Sequence, residues 1–168
     1  MIVVADTSCI CYLILLNSIE LLPRLYGSVV IPNAVYSELQ AENTPTQVKR
    51  WIEQYPQWLQ VEFVEVVIDS ELEKLDRGET EAIALAETLR ADLIILDDRF
   101  ARTIARERGL TITGLLGVLY DAAIAGEIDL SEKFEALQTT SLYVNPNLLL
   151  SLLQKFEQFK IDRDRQLE

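Results

Sequence analysis

The chain has 168 residues, of which 49% are hydrophobic and 25% charged, a size and balance that suit one globular domain with a packed core. It contains no histidine, which excludes Ser-His-Asp and Cys-His catalysis and every zinc site built on imidazole. A formal net charge of −12 excludes a protein that wraps nucleic acid through a general positive field.

The N-terminal run MIVVADTSCICYLILL is strongly apolar. It lacks a basic leading segment, carries Asp6 in its middle, and its stretch CICYLILL falls far below the roughly 20 residues that span a bilayer. A cytoplasmic protein with no membrane segment is therefore expected. The run reads as a short buried strand, IVVAD, ending at Asp6, then a helix through SCICYLILLNS whose start Thr7 or Ser8 can cap. Cys9 and Cys11 are too few and too close for a disulfide framework and are expected to be buried free thiols. SVVIP is a second strand; Pro32 ends it and suits the first turn of the next helix, NAVYSELQAE, which carries Glu38. TPTQVKRWIEQY reads as a further helix, and LQVEFVEV alternates as a half-exposed strand would.

After the acidic DSELEKLD comes a helical pattern, RGETEAIALAETLRAD, with Ile83, Ala86 and Leu89 on one face and a capping box expected between Asp76 and Glu79. LIILD is a fully buried strand, DRFARTIARERG a helix closed by Gly109, LTIT a short strand, and GLLGVLYDAAIAG a helix closed by Gly126. NPNLLLSLLQKFEQFK is an amphipathic helical extension over about 145–160, starting at Asn145 and Pro146. Strands alternating with helices indicate an α/β layer structure with a mainly parallel sheet, formed as one domain over residues 1–168 and ordered except in its last few residues. In such sheets ligands collect beyond the carboxyl ends of strands, the edge at which Asp6 and Asp97 both stand.

Two aspartates ending neighbouring buried strands raise each other's cost of ionisation unless a cation lies between them. With no histidine and no thiolate cluster, an all-oxygen site favours Mg²⁺ or Mn²⁺. Each acid also has a plainer reading. Asp98 can cap the helix that follows it, Glu38 can be a solvated helix residue, and Glu79 and Glu81 can favour the positive end of their helix. Arg99, Arg102 and Arg106 recur at helical spacing, either as a solvated face paired with acids or as a grip on phosphates; Arg77, beside Gly78, is a similar candidate.

The ordered set VVADTS, VYSEL, GETEAIALA and LIILDDRFAR resembles the four-acid pattern of PIN-domain nucleases over residues 2 to about 125, closest to small prokaryotic VapC-like proteins. The resemblance implies a three-layer fold with a central, mainly parallel twisted sheet between helices. It implies a divalent-metal-dependent endoribonuclease, the toxin of a toxin-antitoxin pair, hydrolysing RNA phosphodiesters. Its catalytic acids would be Asp6, Glu38, Glu81 and Asp97, with Mg²⁺ or Mn²⁺ held by Asp6, Asp97, Glu38, Glu81 and Asp98. Thr7, Ser8 and Glu79 would support the site, and Arg77, Arg99 and Arg102 would contact RNA. Glu81 stands where many relatives carry Asp, which leaves open whether Glu79 or Glu81 faces the site, and Ile95 stands where many carry Thr. Homodimers and an antitoxin that inserts Arg or Lys among the acids are further implications.

Two other classes compete with this one. An aspartate-nucleophile phosphatase would want a second Asp two residues after Asp6, where Ser8 stands, and a phosphoacceptor domain would need a Lys after a later strand that cannot be placed. A catalytically silent PIN fold serving as an RNA-binding or protein-interaction module is the alternative within the family.

Overall fold

The computed structural model describes residues 1–166. Residues 167 and 168, part of the terminus expected to fray, lie outside the described residues. Two compact units divide the chain, Met1–Leu115 and Leu116–Glu168.

The first unit carries a five-stranded sheet in the order β3-β2-β1-β4-β5, with every pair parallel. The strands are β1 (Val3–Ala5), β2 (Val29–Pro32), β3 (Leu59–Glu62), β4 (Leu93–Ile95) and β5 (Ile112–Thr113). Its helices are α1 (Thr7–Leu15), α2 (Leu21–Tyr26), α3 (Asn33–Glu38), α4 (Thr46–Glu53), α5 (Arg77–Leu89) and α6 (Arg99–Glu107). This is the expected α/β fold, a central parallel sheet between helices in the three-layer PIN-like arrangement. Parallel strands need crossovers that bury both sheet faces, which is why the strands read as continuous Val and Ile runs. Val4 is in register with Val30 and Ile94, and this row packs with Ala82, Ile83 and Ala86 of α5 and Ala101, Ile104 and Ala105 of α6 in one apolar cluster. Alternation turns Val3, Ala5, Ile31 and Ile95 to the opposite face, where they are also buried.

Helix α5 is central, packing on α3, β1, β2 and β4. Its start is fixed by the expected capping box: Asp76 accepts from the Glu79 backbone N–H at 2.8 Å, and Glu79 accepts from the Asp76 N–H at 3.3 Å. Helix α6 begins at Asp98, whose Oδ1 accepts from the Ala101 N–H at 2.8 Å, so the capping reading of Asp98 holds. Gly109, with φ of +78°, follows α6 as expected, in a region that disfavours side chains.

Several expectations need correction. The N-cap of α1 is Asp6, which makes no side-chain cap bond, and neither Thr7 nor Ser8 caps the helix, their hydroxyls turning toward Glu38 and Asp97 instead. The half-exposed strand expected through residue 66 stops at Glu62, whose register partner is Pro32. Beyond Pro32 the neighbouring chain enters α3, so residues 63–66 have no ladder to join. Cys9 is buried, but Cys11 is only half-buried. Helix α2 and the 3-10 turn Leu72–Lys74 have no counterpart among the expected elements.

The second unit holds α8 (Leu130–Gln138) and α9 (Pro146–Gln166), together with most of α7 (Leu115–Ile124). Gly126, with φ of +78°, follows α7. Helix α9 begins at the expected Pro146 and runs past 160 to Gln166; Leu149, Leu152, Leu153 and Phe156 form its inward stripe, with Phe156 edge-on to Tyr120 at 6.2 Å. Helix α8 is a further addition to the expected elements; Asp129 caps it by accepting from the Glu132 N–H at 2.9 Å. Among the described residues, no helix is long and apolar enough to cross a membrane.

Loss of the α5 cap is directly measurable. Asp76→Ala should lower unfolding stability by about 0.5–2 kcal/mol in urea titration, and an unchanged midpoint would show that tertiary packing alone fixes this helix start.

Candidate functional site

The sheet order reverses between β1 and β4, whose crossovers leave in opposite directions. Such a switch point opens a crevice at the carboxyl edge of the sheet. Ala5 is in register with Ile95, and the Asp6 N–H donates to the Ile95 carbonyl at 3.0 Å. Asp6 therefore begins where the ladder ends, and Asp97 follows the neighbouring strand two residues beyond it.

Asp6 is buried, at 5% exposure. Burial pushes its carboxyl up to about 7; a hydrogen bond from the Thr7 backbone opposes this, and the negative charges of Asp76, Glu79 and Glu38 add to it. Glu79 is likewise raised to about 7, by burial and then by Asp76, with Asp98 and Glu38 acting in the same direction. Asp97 is raised by burial, against a hydrogen bond from the Leu115 N–H, the Arg102 guanidinium and the Ser8 hydroxyl. Its Oδ1 accepts from Leu115 N at 2.8 Å, while its Oδ2 is buried with no hydrogen-bond partner. These mutual influences bring Asp6, Glu38, Glu79, Asp76 and Asp98 to one rim.

Glu38 reaches that rim from the end of α3. Its Oε1 accepts from the Gly78 N–H at 2.8 Å, and its Oε2 accepts from the Thr7 hydroxyl. A side chain at position 78 would collide with it, because a Cβ there would stand 2.8 Å from Glu38 Cδ. Gly114 plays the same part at the other side: a Cβ would lie 2.6 Å from both Asp97 Oδ1 and Arg102 Nη1. Sequence reasoning alone singles out neither glycine's role nor Asp76's charge. Gly78 begins the GETE run and Gly114 directly follows a strand, so their positions are the available signal.

Glu81 is engaged elsewhere. Its Oε2 accepts from the Ala34 N–H at 2.9 Å, and its Oε1 pairs with Arg77 Nε at 3.0 Å. Both oxygens are thus bound by the start of α3 and by its own helix. The arginines also separate: Arg99 and Arg106 are exposed, but Arg102 is half-buried and donates from Nη1 to the Leu96 carbonyl at 2.9 Å. The positive charge beside the Asp97–Asp98 pair is therefore Arg102.

The donor chemistry fits a hard divalent cation, being all carboxylate oxygen, with a buried and unpartnered Asp97 Oδ2. Among the described residues, no three acidic or thiol side chains are already drawn to the spacing of a metal-ligand set. Glu38, Glu79 and Glu81 instead carry hydrogen bonds from the protein itself.

A parallel sheet with acids gathered at its switch point defines the class as an α/β domain with an acidic carboxyl-edge site. The chain matches the DUF3368 family, described as PIN domain, over residues 2–158, and it belongs to that PIN-domain family. A solved structure of a PilT N-terminus domain protein from the hyperthermophilic archaeon Sulfolobus solfataricus P2 is similar in fold, with a TM-score of 0.50 and 16% identity; the match covers 86% of this chain and 100% of that one. No curated protein matches the chain.

The raised acids make a signed prediction. Folded Asp6 holds its proton between the ordinary carboxylate range near 4 and about 7, so its contribution to stability is complete below about 4 and is lost as pH rises through about 7. Asp6→Asn removes that loss and should therefore gain stability relative to wild type between pH 5 and pH 8, by on the order of 2–4 kcal/mol. Parallel pH profiles for the two proteins, in chelator and by chemical denaturation, would refute it.

Proposed function

We propose that this PIN-domain protein is a divalent-metal-dependent endoribonuclease of the VapC-like toxin type. The observation that carries the reading is that buried Asp6 and half-buried Asp97, both incompletely compensated, stand at the switch point, with Glu38 and Glu79 facing the same rim. Asp6 and Asp97 would hold Mg²⁺ or Mn²⁺, with Asp98 alongside. When bound, such an ion lowers the pKa of a coordinated water and offsets charge developing on a phosphate.

The chain's own residues supply position and charge. Thr7 and the Gly78 N–H hold Glu38 so that it faces the rim from α3. Ser8, Leu115 N and Arg102 orient Asp97 and leave its Oδ2 free. Glu79 replaces Glu81 as the third acid, because Glu81 is committed to Ala34 and Arg77. Exposed Arg99 and Arg77 are suited to contact phosphates flanking the scissile bond. As a toxin the protein would act as a homodimer, and an antitoxin would silence it by placing Arg or Lys among the desolvated acids. The silent-module reading draws on one observation, that Glu38, Glu79 and Glu81 already have protein hydrogen-bond partners.

Two experiments decide. Mn²⁺ or Mg²⁺ titrated onto the purified protein should produce RNA cleavage leaving 5′-phosphate and 3′-hydroxyl ends, and Asp6→Asn or Asp97→Asn should reduce it by on the order of 100-fold or more. Cyclic 2′,3′-phosphate ends, or RNA binding without any cleavage, would remove the nuclease reading. Second, Glu79→Gln should reduce cleavage by about tenfold or more, whereas Glu81→Gln should act on stability and leave the folded fraction active. The reverse pattern would restore Glu81 to the site.

A further inference from the structure

The chain has five phenylalanines, and two of them stand exposed, Phe63 at 78% and Phe100 at 47%. Single apolar side chains on a surface need no explanation, so the surroundings of each ring decide its meaning. Phe63 follows β3, three places along the sheet from β4, with exposed Glu62 beside it and exposed Glu65 two residues on. Phe100 lies in the first turn of α6, two residues after Asp98 and beside exposed Arg99.

Helix α6 starts at the carboxyl edge of the sheet, where Asp98 caps it, and helical side chains lean toward the N-terminus of their helix. Phe100 therefore leans toward the rim that carries Asp97 and Asp98. Ala101, Ile104 and Ala105 face the core. Arg102 leaves the helix about 200° from Phe100 and reaches the Leu96 carbonyl on the flank that Gly114 approaches. The Phe100 ring is thus on the opposite flank, and it takes part in none of the ring pairs among the described residues.

Its charge setting differs from that of a chain with net charge −12. Arg99, Arg102, Arg106 and Arg108 all belong to α6 or directly follow it. Arg102 is committed to Leu96 and Asp97, and Arg108 is enclosed by Asp69, Glu71 and Glu87. Arg99 and Arg106 remain exposed with no ion pair among the described residues, on one stripe about 10 Å long. Of the nearby acids, Asp98 is held by the Ala101 N–H, and Glu107 lies two turns further along. A protein anchor would want an apolar surround, whereas the exposed helical neighbours of Phe100 are Arg99, Thr103 and Glu107. An exposed ring beside uncommitted guanidinium groups suits single-stranded nucleic acid, whose bases stack on the ring while its phosphates meet the cations.

We propose that Phe100 is a base-stacking residue: the base of a nucleotide next to the phosphate that enters the acidic rim stacks on its ring, with Arg99 on the adjoining phosphate. The proposal rests on the ribonuclease reading and deepens it, because it makes the substrate single-stranded at the site. Bases inside a duplex are stacked on one another and offer the ring no free face.

The probe is an unstructured RNA of about ten nucleotides, together with copies in which one abasic position is moved along it. Fluorescence anisotropy measures binding without cleavage in two conditions, wild type in chelator and Asp6→Asn in Mn²⁺. Phe100→Leu keeps an apolar side chain at an exposed position and removes the ring; it should weaken the RNA by about tenfold, and Phe100→Trp should restore it. One abasic position should cost the wild-type protein about as much and cost Phe100→Leu nothing further, a coupling that a merely structural role would not produce. Arg99→Ala should leave that coupling intact and lower the salt slope by roughly 0.7, and Phe63→Ala should change neither. A duplex of the same sequence should bind wild type and Phe100→Leu equally. Equal affinity of these two proteins for the single strand, or a loss without abasic coupling, would overturn the proposal, and metal-dependent cleavage that persisted in that case would leave the nuclease reading standing. Abasic coupling in a protein that cleaves nothing would support the stacking and remove the nuclease reading instead. Absence of RNA binding in both conditions would overturn the proposal, as would concentration-dependent self-association abolished by Phe100→Leu, which would assign the ring to a second copy.

Discussion

The structure of this PIN domain depends on how its crowded carboxylates are compensated at one edge of the sheet. Each parallel strand hands its carboxyl end to a loop or helix on the same side, so helix N-termini collect where the acids do, and unsatisfied N–H groups there favour negative charge. The acids use them in turn. Asp6 stands at the start of α1, Glu81 accepts from Ala34 at the start of α3, Glu38 and Asp76 accept from Gly78 and Glu79 at the start of α5, Asp98 caps α6, and Asp97 accepts from Leu115 at the start of α7. A carboxylate cluster that would otherwise repel itself is distributed over five helix starts. Arg102 adds the side-chain cation that acts on Asp97.

Compensation is uneven along this edge. Asp98 and Glu81 have well-placed partners and act as caps and clamps. Buried Asp6 and half-buried Asp97 sit above the ordinary carboxylate range, and Asp97 keeps a buried oxygen with no hydrogen-bond partner. A buried group left in that state gains most from a ligand that brings positive charge.

Much of this is legible in the sequence because it is written in short-range chemistry. The D-x-x-E box at Asp76 and Glu79 and the glycines after α6 and α7 are local signals that the structure uses as expected, and the two strands stop just short of the expected ends, at Ala5 before Asp6 and at Ile95 two residues before Asp97. The length of β3 is not legible, because a strand's extent is set by its neighbour: four residues of β2 ending at Pro32 allow only four of β3. Helix α2 is obscured by Pro23 within its six residues, which breaks the helical pattern although the proline falls in the first turn, where it is tolerated. Helix α8 does carry a readable signal, Asp129 and Glu132 flanking the start of an apolar face of Leu130, Phe134 and Leu137.

The choice between Glu79 and Glu81 shows why position in a motif does not decide orientation. Residues two apart on a helix diverge by about 200°, so these two side chains leave α5 on nearly opposite sides. Glu79 lies in the first turn, where reaching back to the Asp76 N–H keeps its carboxylate at the helix start and within the field of Asp6, Asp98 and Glu38. Glu81 lies on the face that packs against α3, and burial there demands partners, which Ala34 and Arg77 provide. An acid in that position cannot turn to the rim without leaving the Ala34 N–H buried and unpaired, a cost of roughly 1–3 kcal/mol that Glu79 does not face. The extra methylene of Glu relative to Asp is what lets residue 81 span from α5 to α3. Glu at 81 therefore serves the fold, and the acid that faces the rim is the one a half-turn earlier.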